Sequence, residues 1–313
     1  MMKKHLFLIL AMLAIAFGAA QAQNNDCNTD NKACGHCGHH QSTILKGDAA
    51  LDWAKVHAGE LIANYLSAAG NKLDPDELRK QLAPIGYDGS DVPSYRKAEK
   101  YLVDTVYTIM LADAMRQGKT SIVLLTGPGG AGKSTSTKAM DFSPYGMIYD
   151  SAFNSYPSLK KAVDKAIKAG MKDVRVIAIY NDLLTCFKNS VKRGKVTKRF
   201  LGLGYLTNAF RSNAGKIAML QKEYPQVVID PVDNSHNCGG RRVDVDEALA
   251  WDFTVSPQLL NHMLTYTLYE IYEGELTGQQ IVSVASDAQA LEGLDETGKA
   301  LVAELLRQVQ AAR

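Results

Sequence analysis

The chain has 313 residues, 46% hydrophobic and 22% charged, enough apolar material for a large core and too little charge for a disordered chain. Its formal net charge is +2, and without Lys3 and Lys4 it carries 33 basic against 33 acidic residues. A neutral body offers no electrostatic basis for a nucleic-acid or anionic-membrane partner.

Residues 1–22 read as a secretory signal peptide. Lys3 and Lys4 give a positive start, an apolar run extends from Leu6 to about Ala20, and Ala20-Gln21-Ala22 supplies a small-residue cleavage site. The run is shorter than the ~20 residues of a bilayer-spanning helix. The expectation is export to the periplasm or the medium, or a cytoplasmic protein if the leader is not processed. No stable membrane span follows.

Residues 23–47 read as a flexible arm, polar and without periodicity. Cys34-Gly35-His36-Cys37, with His39 and His40 beside it, offers the thiolate and imidazole ligands that zinc and copper prefer. Cys27 can add a third sulfur. The alternative is a disulfide in an oxidising compartment. Cys186 reads as a core thiol and Cys238 as a loop thiol.

Residues 48–118 are expected to form helices packed on the core. The first spans Asp48 to Ala69, with Asp48 as N-cap and Gly70 as its stop. Asp74-Pro75-Asp76-Glu77 opens a short second helix. A third runs from Ser94 to Gln117, its apolar stripe including Leu102, Val106 and Met110. Trp53 and Trp251 read as packing residues.

Residues 119–240 form the predicted core. Ser121–Thr126 is a wholly apolar strand, as expected in a sheet covered on both faces. A glycine turn follows, then a helix over Lys133–Met140. Tyr145–Tyr149 is a strand ending at Asp150, Leu159–Ala169 a helix, Val174–Tyr180 a strand and Asp182–Lys192 a helix. Tyr205–Glu223 is helical and Gln226–Asp230 a strand. Residues 241–313 read as a helical extension, with Leu301, Leu305 and Val309 on one face. The alternation predicts an α/β fold, a parallel sheet flanked by helices, with extra helices at both termini; the glycine-rich turn Gly127–Ser134 after the first core strand makes the expected sheet P-loop NTPase-type.

Gly127-Pro128-Gly129-Gly130-Ala131-Gly132-Lys133-Ser134, followed by Thr135, fits the phosphate-binding pattern G-x-x-x-x-G-K-[ST]. Glycines let the backbone take positive φ and bring N–H groups close to phosphate. A helix start adds unpaired N–H groups. Lys133 reaches the β- and γ-phosphates, and Ser134 is placed to hold Mg²⁺.

Further candidates lie downstream. Asp150, at a strand end, can hold Mg²⁺ through water or accept a substrate proton, or else simply cap a turn. Lys192, Arg193, Lys195, Lys198 and Arg199 form a basic run; Arg193, Lys195 and Arg199 are the candidates to stabilise charge on a transferring phosphoryl group, and Arg211 can add a cation. Asp230 and Asp233 bracket Pro231 after the fourth strand and read as turn residues, with orientation of substrate as the alternative, and His236 reads as a loop residue.

The order of these elements resembles the zeta toxin family of P-loop kinases. The resemblance rests on Gly127–Thr135, Ile148–Phe153, Ala169-Gly170, Val176–Asp182, the basic Lys192–Val196 and Val228–Asp230, and spans about residues 95–235. It implies transfer of a γ-phosphate from ATP (GTP as the alternative), with Mg²⁺, to a hydroxyl of a small molecule such as a UDP-amino-sugar. Family members carry an aspartate base in a D-x-[FW]-R-like segment between the P-loop helix and the next strand. Here that interval is only Asp141 to Pro144, with Asp141 as a weak substitute. Two alternatives stand beside the kinase: a nucleotide-binding module without transfer, and an exported metal-binding or interaction protein acting through its Cys/His arm.

Overall fold

The computed structural model describes residues 44–313; the expected signal peptide and the arm cysteines Cys27, Cys34 and Cys37 lie outside the described residues. Six strands make one sheet: β1 Lys72–Leu73, β2 Ser121–Thr126, β3 Met147–Asp150, β4 Asp173–Tyr180, β5 Val228–Asp233 and β6 Arg241–Arg242. Their spatial order is β1-β3-β2-β4-β5-β6. All pairings are parallel except that of β6 with β5. The apolar run of β2 serves both faces. Ile122 and Leu124 join one apolar cluster, Val123 and Leu125 another. This is the side-chain alternation of a strand with no solvent side.

The helices are α1 Gly47–Val56, α2 Ala58–Ala69, α3 Pro75–Arg79, α4 Val92–Arg116, α5 Lys133–Ser136, α6 Tyr156–Lys168 and α7 Leu183–Thr197. After them come α8 Leu203–Arg211, α9 Lys216–Glu223, α10 Val245–Leu249, α11 Pro257–Tyr272, α12 Gln279–Ala285 and α13 Glu296–Ala311. Helices α1, α2, α4 and α6 cover one face in a cluster that includes Leu61, Leu102, Val106 and Leu159. A separate apolar cluster joins α7 and α8 to α11, α12 and α13, with Phe187, Leu206, Leu264, Val284 and Leu305 at its centre. Among the described residues no helix is long and apolar enough to cross a membrane.

Several expected elements differ in extent. The helix expected over Asp48–Ala69 is two, broken at His57, where the ring stacks on Trp53 at 4.2 Å and Nδ1 lies 2.8 Å from the Trp53 carbonyl. Asp48 lies inside α1, whose N-cap is Lys46, and does not cap it. The helix expected over Tyr205–Glu223 is also two, separated at Gly215 in the left-handed region, φ 69°. The helix after the glycine turn is one turn long instead of extending to Met140. Helix α7 runs on to Thr197, so Lys192, Arg193 and Lys195 are helical. The N-terminal region does more than pack on the core, because β1 extends the sheet beside β3.

Candidate functional site

From β2 the chain goes to β3 on one side and then crosses to β4 on the other. The strand order therefore reverses at β2, and such a reversal opens a crevice at the carboxyl ends of the strands. Here it opens into a cleft of about 1500 Å³. The glycine turn forms its floor, and α3, α4, α6, α7 and the turn after α12 contribute walls.

Close packing dictates the composition of the turn. Gly130 and Gly132 have φ of 82° and 84°, where a side chain is strained. A Cβ on Gly130 would overlap the Cys186 carbonyl, and one on Gly132 would overlap the Asn234 amide. The Ala131 N–H donates to the Pro128 carbonyl at 3.2 Å. The N–H groups of Gly130, Gly132, Lys133 and Ser134 have no acceptor among the described residues. Because α5 has only four residues, its macrodipole is small, and the turn's individual amides are what its backbone offers an anion.

Lys133 Nζ folds back to the Gly127 carbonyl at 3.3 Å. Burial lowers its pKa; the Asp150 carboxylate opposes that and Arg193 adds to it. Asp150 is buried and accepts an ion pair from Lys72 Nζ at 2.7 Å, while the same ammonium stands 3.6 Å from Asp74. Burial works against the Lys72 ammonium, but the bond and charge of Asp150, with Asp74, outweigh it and raise its pKa.

Arg193 and Arg199 line the cleft, Arg193 from α7 and Arg199 from the segment after it. The Arg199 guanidinium contacts Asp76 across the cleft. Burial pushes Arg199 down from the usual arginine range. Lys195 pairs with Glu270 and, at 3.1 Å, with Glu275, and so ties α7 to α11 and the turn after it, away from the residues that line the cleft. Arg193 and Lys195 lie on α7, where positions two apart face different directions. Arg211 likewise turns away, donating to the Glu292 carbonyl at 3.3 Å. Asp141 is exposed and accepts from the Ser143 N–H at 2.9 Å, outside the cleft lining.

The carboxylates missed by sequence reading come from upstream. Asp74 and Asp76 both line the cleft, at the end of β1 and the start of α3. Asp74 caps α3, its Oδ1 accepting from the Asp76 N–H at 2.9 Å, and burial raises its pKa with Asp150 adding to the effect. A buried fork of Arg79 onto Glu99, 2.9 and 2.6 Å, anchors α3 to α4. Asp76-Glu77-Leu78-Arg79 matches D-x-[FW]-R except for leucine at the third place. It precedes the glycine turn, whereas the resemblance expects such a segment after it. Since β1 pairs with β3, it reaches the same sheet edge by another path.

Among the described residues no group of three or more His, Cys, Asp or Glu side chains is arranged to hold a metal ion. The oxygen donors near the turn, Ser134 and Asp150 with Asp74, have the hardness Mg²⁺ selects. Cys186 is fully buried, and burial pushes its thiol up; Cys238 is exposed. Asp230 and Asp233 lie within β5, which runs on past Pro231, and not in a turn; Asp230 pairs with Arg175, and Asp233 accepts from the Ser235 N–H at 2.8 Å. Trp251 stacks on Tyr180 at 5.1 Å. His236 is exposed in the loop after β5. No protein-family model matches this chain, and no curated protein matches it.

Proposed function

We propose that this protein is a P-loop phosphotransferase resembling the zeta toxins, which moves the γ-phosphate of ATP to a hydroxyl of a small molecule. One observation carries the reading: a glycine turn, four of whose amides have no acceptor among the described residues, and Lys133 at its end line one cleft with the carboxylates of Asp74 and Asp76. The loop comprises Gly127, Pro128, Gly129, Gly130, Ala131, Gly132, Lys133, Ser134 and Thr135. Its amides and the Lys133 ammonium would hold the triphosphate. Arg193 and Arg199 would stabilise charge on the transferring group. Asp76 would accept the hydroxyl proton. Ser134 and Asp150 would hold Mg²⁺, which neutralises phosphate charge when bound.

The test is nucleotide binding and turnover by the purified chain. Lys133→Ala is expected to abolish saturable MgATP binding. Asp76→Asn is expected to keep binding and lower turnover about 100- to 10,000-fold, the usual worth of a general base. Calorimetry and a coupled ADP assay with candidate hydroxyl acceptors read both. Equal behaviour of Lys133→Ala and the unaltered protein removes the proposal.

A second reading is a nucleotide-binding module without transfer. It is favoured by the engagement of Asp76 by Arg199 and of Asp150 by Lys72. MgATP binding with no turnover for any acceptor selects it.

A further inference from the structure

Four asparagines gather behind the glycine turn: Asn181 just before α7, Asn189 in the middle of that helix, and Asn234 and Asn237 after β5. Asn181 Nδ2 donates to Asn237 Oδ1 at 3.1 Å, and Asn189 Nδ2 reaches the same oxygen at 2.8 Å and the Gly130 carbonyl at 2.9 Å. Asn234, 1% exposed, donates through Nδ2 to the Ala131 carbonyl at 2.8 Å. Its own orientation is held twice. Its Oδ1 accepts from the Gly239 N–H at 3.1 Å, and its backbone N–H donates to the Tyr180 carbonyl at 2.9 Å.

A trans peptide points its C=O and its N–H in opposite directions. Drawing the Ala131 carbonyl toward Asn234 therefore turns the Gly132 N–H away from Asn234. Glycine at 132 makes the choice a real one, because that residue tolerates either sign of φ and so either orientation of the preceding peptide. Without the Asn234 bond, the Ala131–Gly132 peptide would be free to present its carbonyl, which repels phosphate, where its N–H now stands. The proximity of the Asn234 amide also leaves no room for a side chain at 132.

We infer that Asn234 is a positioning residue of the phosphate loop, with Asn189 as a second arm on Gly130: the two amides hold the loop's carbonyls back so that the Gly132 N–H is presented to an anion. This rests on the proposed phosphate-binding role of the loop.

Asn234→Asp tests it with little change of shape. One carboxylate oxygen can still accept from Gly239, while the other faces the Ala131 carbonyl without a hydrogen to offer. The variant is expected to weaken MgATP binding tenfold or more by calorimetry, and Asn234→Ala by less. In the ligand-free protein, the ¹H–¹⁵N signal of Gly132 is expected to move and its amide to exchange faster. A Gly132 signal and exchange rate unchanged in Asn234→Asp overturn the clamp. A changed signal with unchanged affinity overturns its role in binding. If the unaltered protein binds no MgATP, the phosphate reading fails and the positioning role with it, whereas the ligand-free amide data still decide the clamp. If Asn234→Asp does not fold, Asn189→Ala, at a partly exposed side chain, replaces it. Weaker binding together with a shifted Ala131 amide supports the inference, and neither change overturns it.

Discussion

Lys216 shows what a single buried charge does to the whole. It opens α9, is 3% exposed, and donates to Asn213 Oδ1 at 2.7 Å, to the Phe153 carbonyl and to Thr126 Oγ1 at 3.4 Å. These partners are neutral oxygens. Burial, with the nearby Lys133 ammonium adding to it, lowers its pKa from 10.5 to about 7. Between those values the unfolded chain binds a proton that the folded chain does not. Stability therefore rises with pH across that window, by at most about 1.4 kcal/mol per pH unit from this group, and the penalty levels off below its lower end. Lys216→Met is expected to flatten this rise, measured by urea unfolding at pH 7, 8.5 and 10. An unchanged slope would show that this ammonium is not the source. Nothing in the sequence marked Lys216, because a lysine on a helix is ordinarily exposed and only packing from three separate segments buries this one.

Between elements, the decisive contact is the start of α8 against the turn after α12. Asp287, at φ 59°, accepts from the Gly204 N–H at 3.0 Å and the Tyr205 N–H at 2.7 Å, and so caps a helix far from it in sequence. Gly202 and Gly204 permit the approach, since a Cβ on either would meet Ser286 or Asp287. The contact fixes Tyr205, whose hydroxyl accepts from Asn154 at 2.5 Å beneath the Arg96 guanidinium. Asp287→Ala is expected to cost about 1 kcal/mol, the usual loss of an N-cap, and Asp287→Asn less. A thermal midpoint that does not fall in the alanine variant would refute the cap. The segment after α7 could be read as a helix from Tyr205 onward, but its cap could not. Cap rules use neighbouring residues, and here the oxygen comes from another element.

At the scale of the molecule, the C-terminal helices form one apolar cluster with α7 and α8, and of them α12 and the turn after it line the cleft. Leu305 of α13 is fully buried there. Leu305→Ala is expected to destabilise the protein by about 2–5 kcal/mol. A lower urea midpoint with an unchanged slope would confirm it, and an unchanged midpoint would place α13 outside the cooperative core. The sequence by itself determined the strand over residues 121–126, the glycine turn after it and the α/β alternation, because each depends on periodicity and backbone freedom within a few residues. Only the tertiary structure decided which side chains meet at the turn. It brought Asp74 and Asp76 to the cleft through the pairing of β1 with β3 and sent Lys195 to Glu270 and Glu275. It also put Asn234 behind Ala131. Those outcomes depend on strand order and helix rotation, which arise from packing between segments remote in the chain.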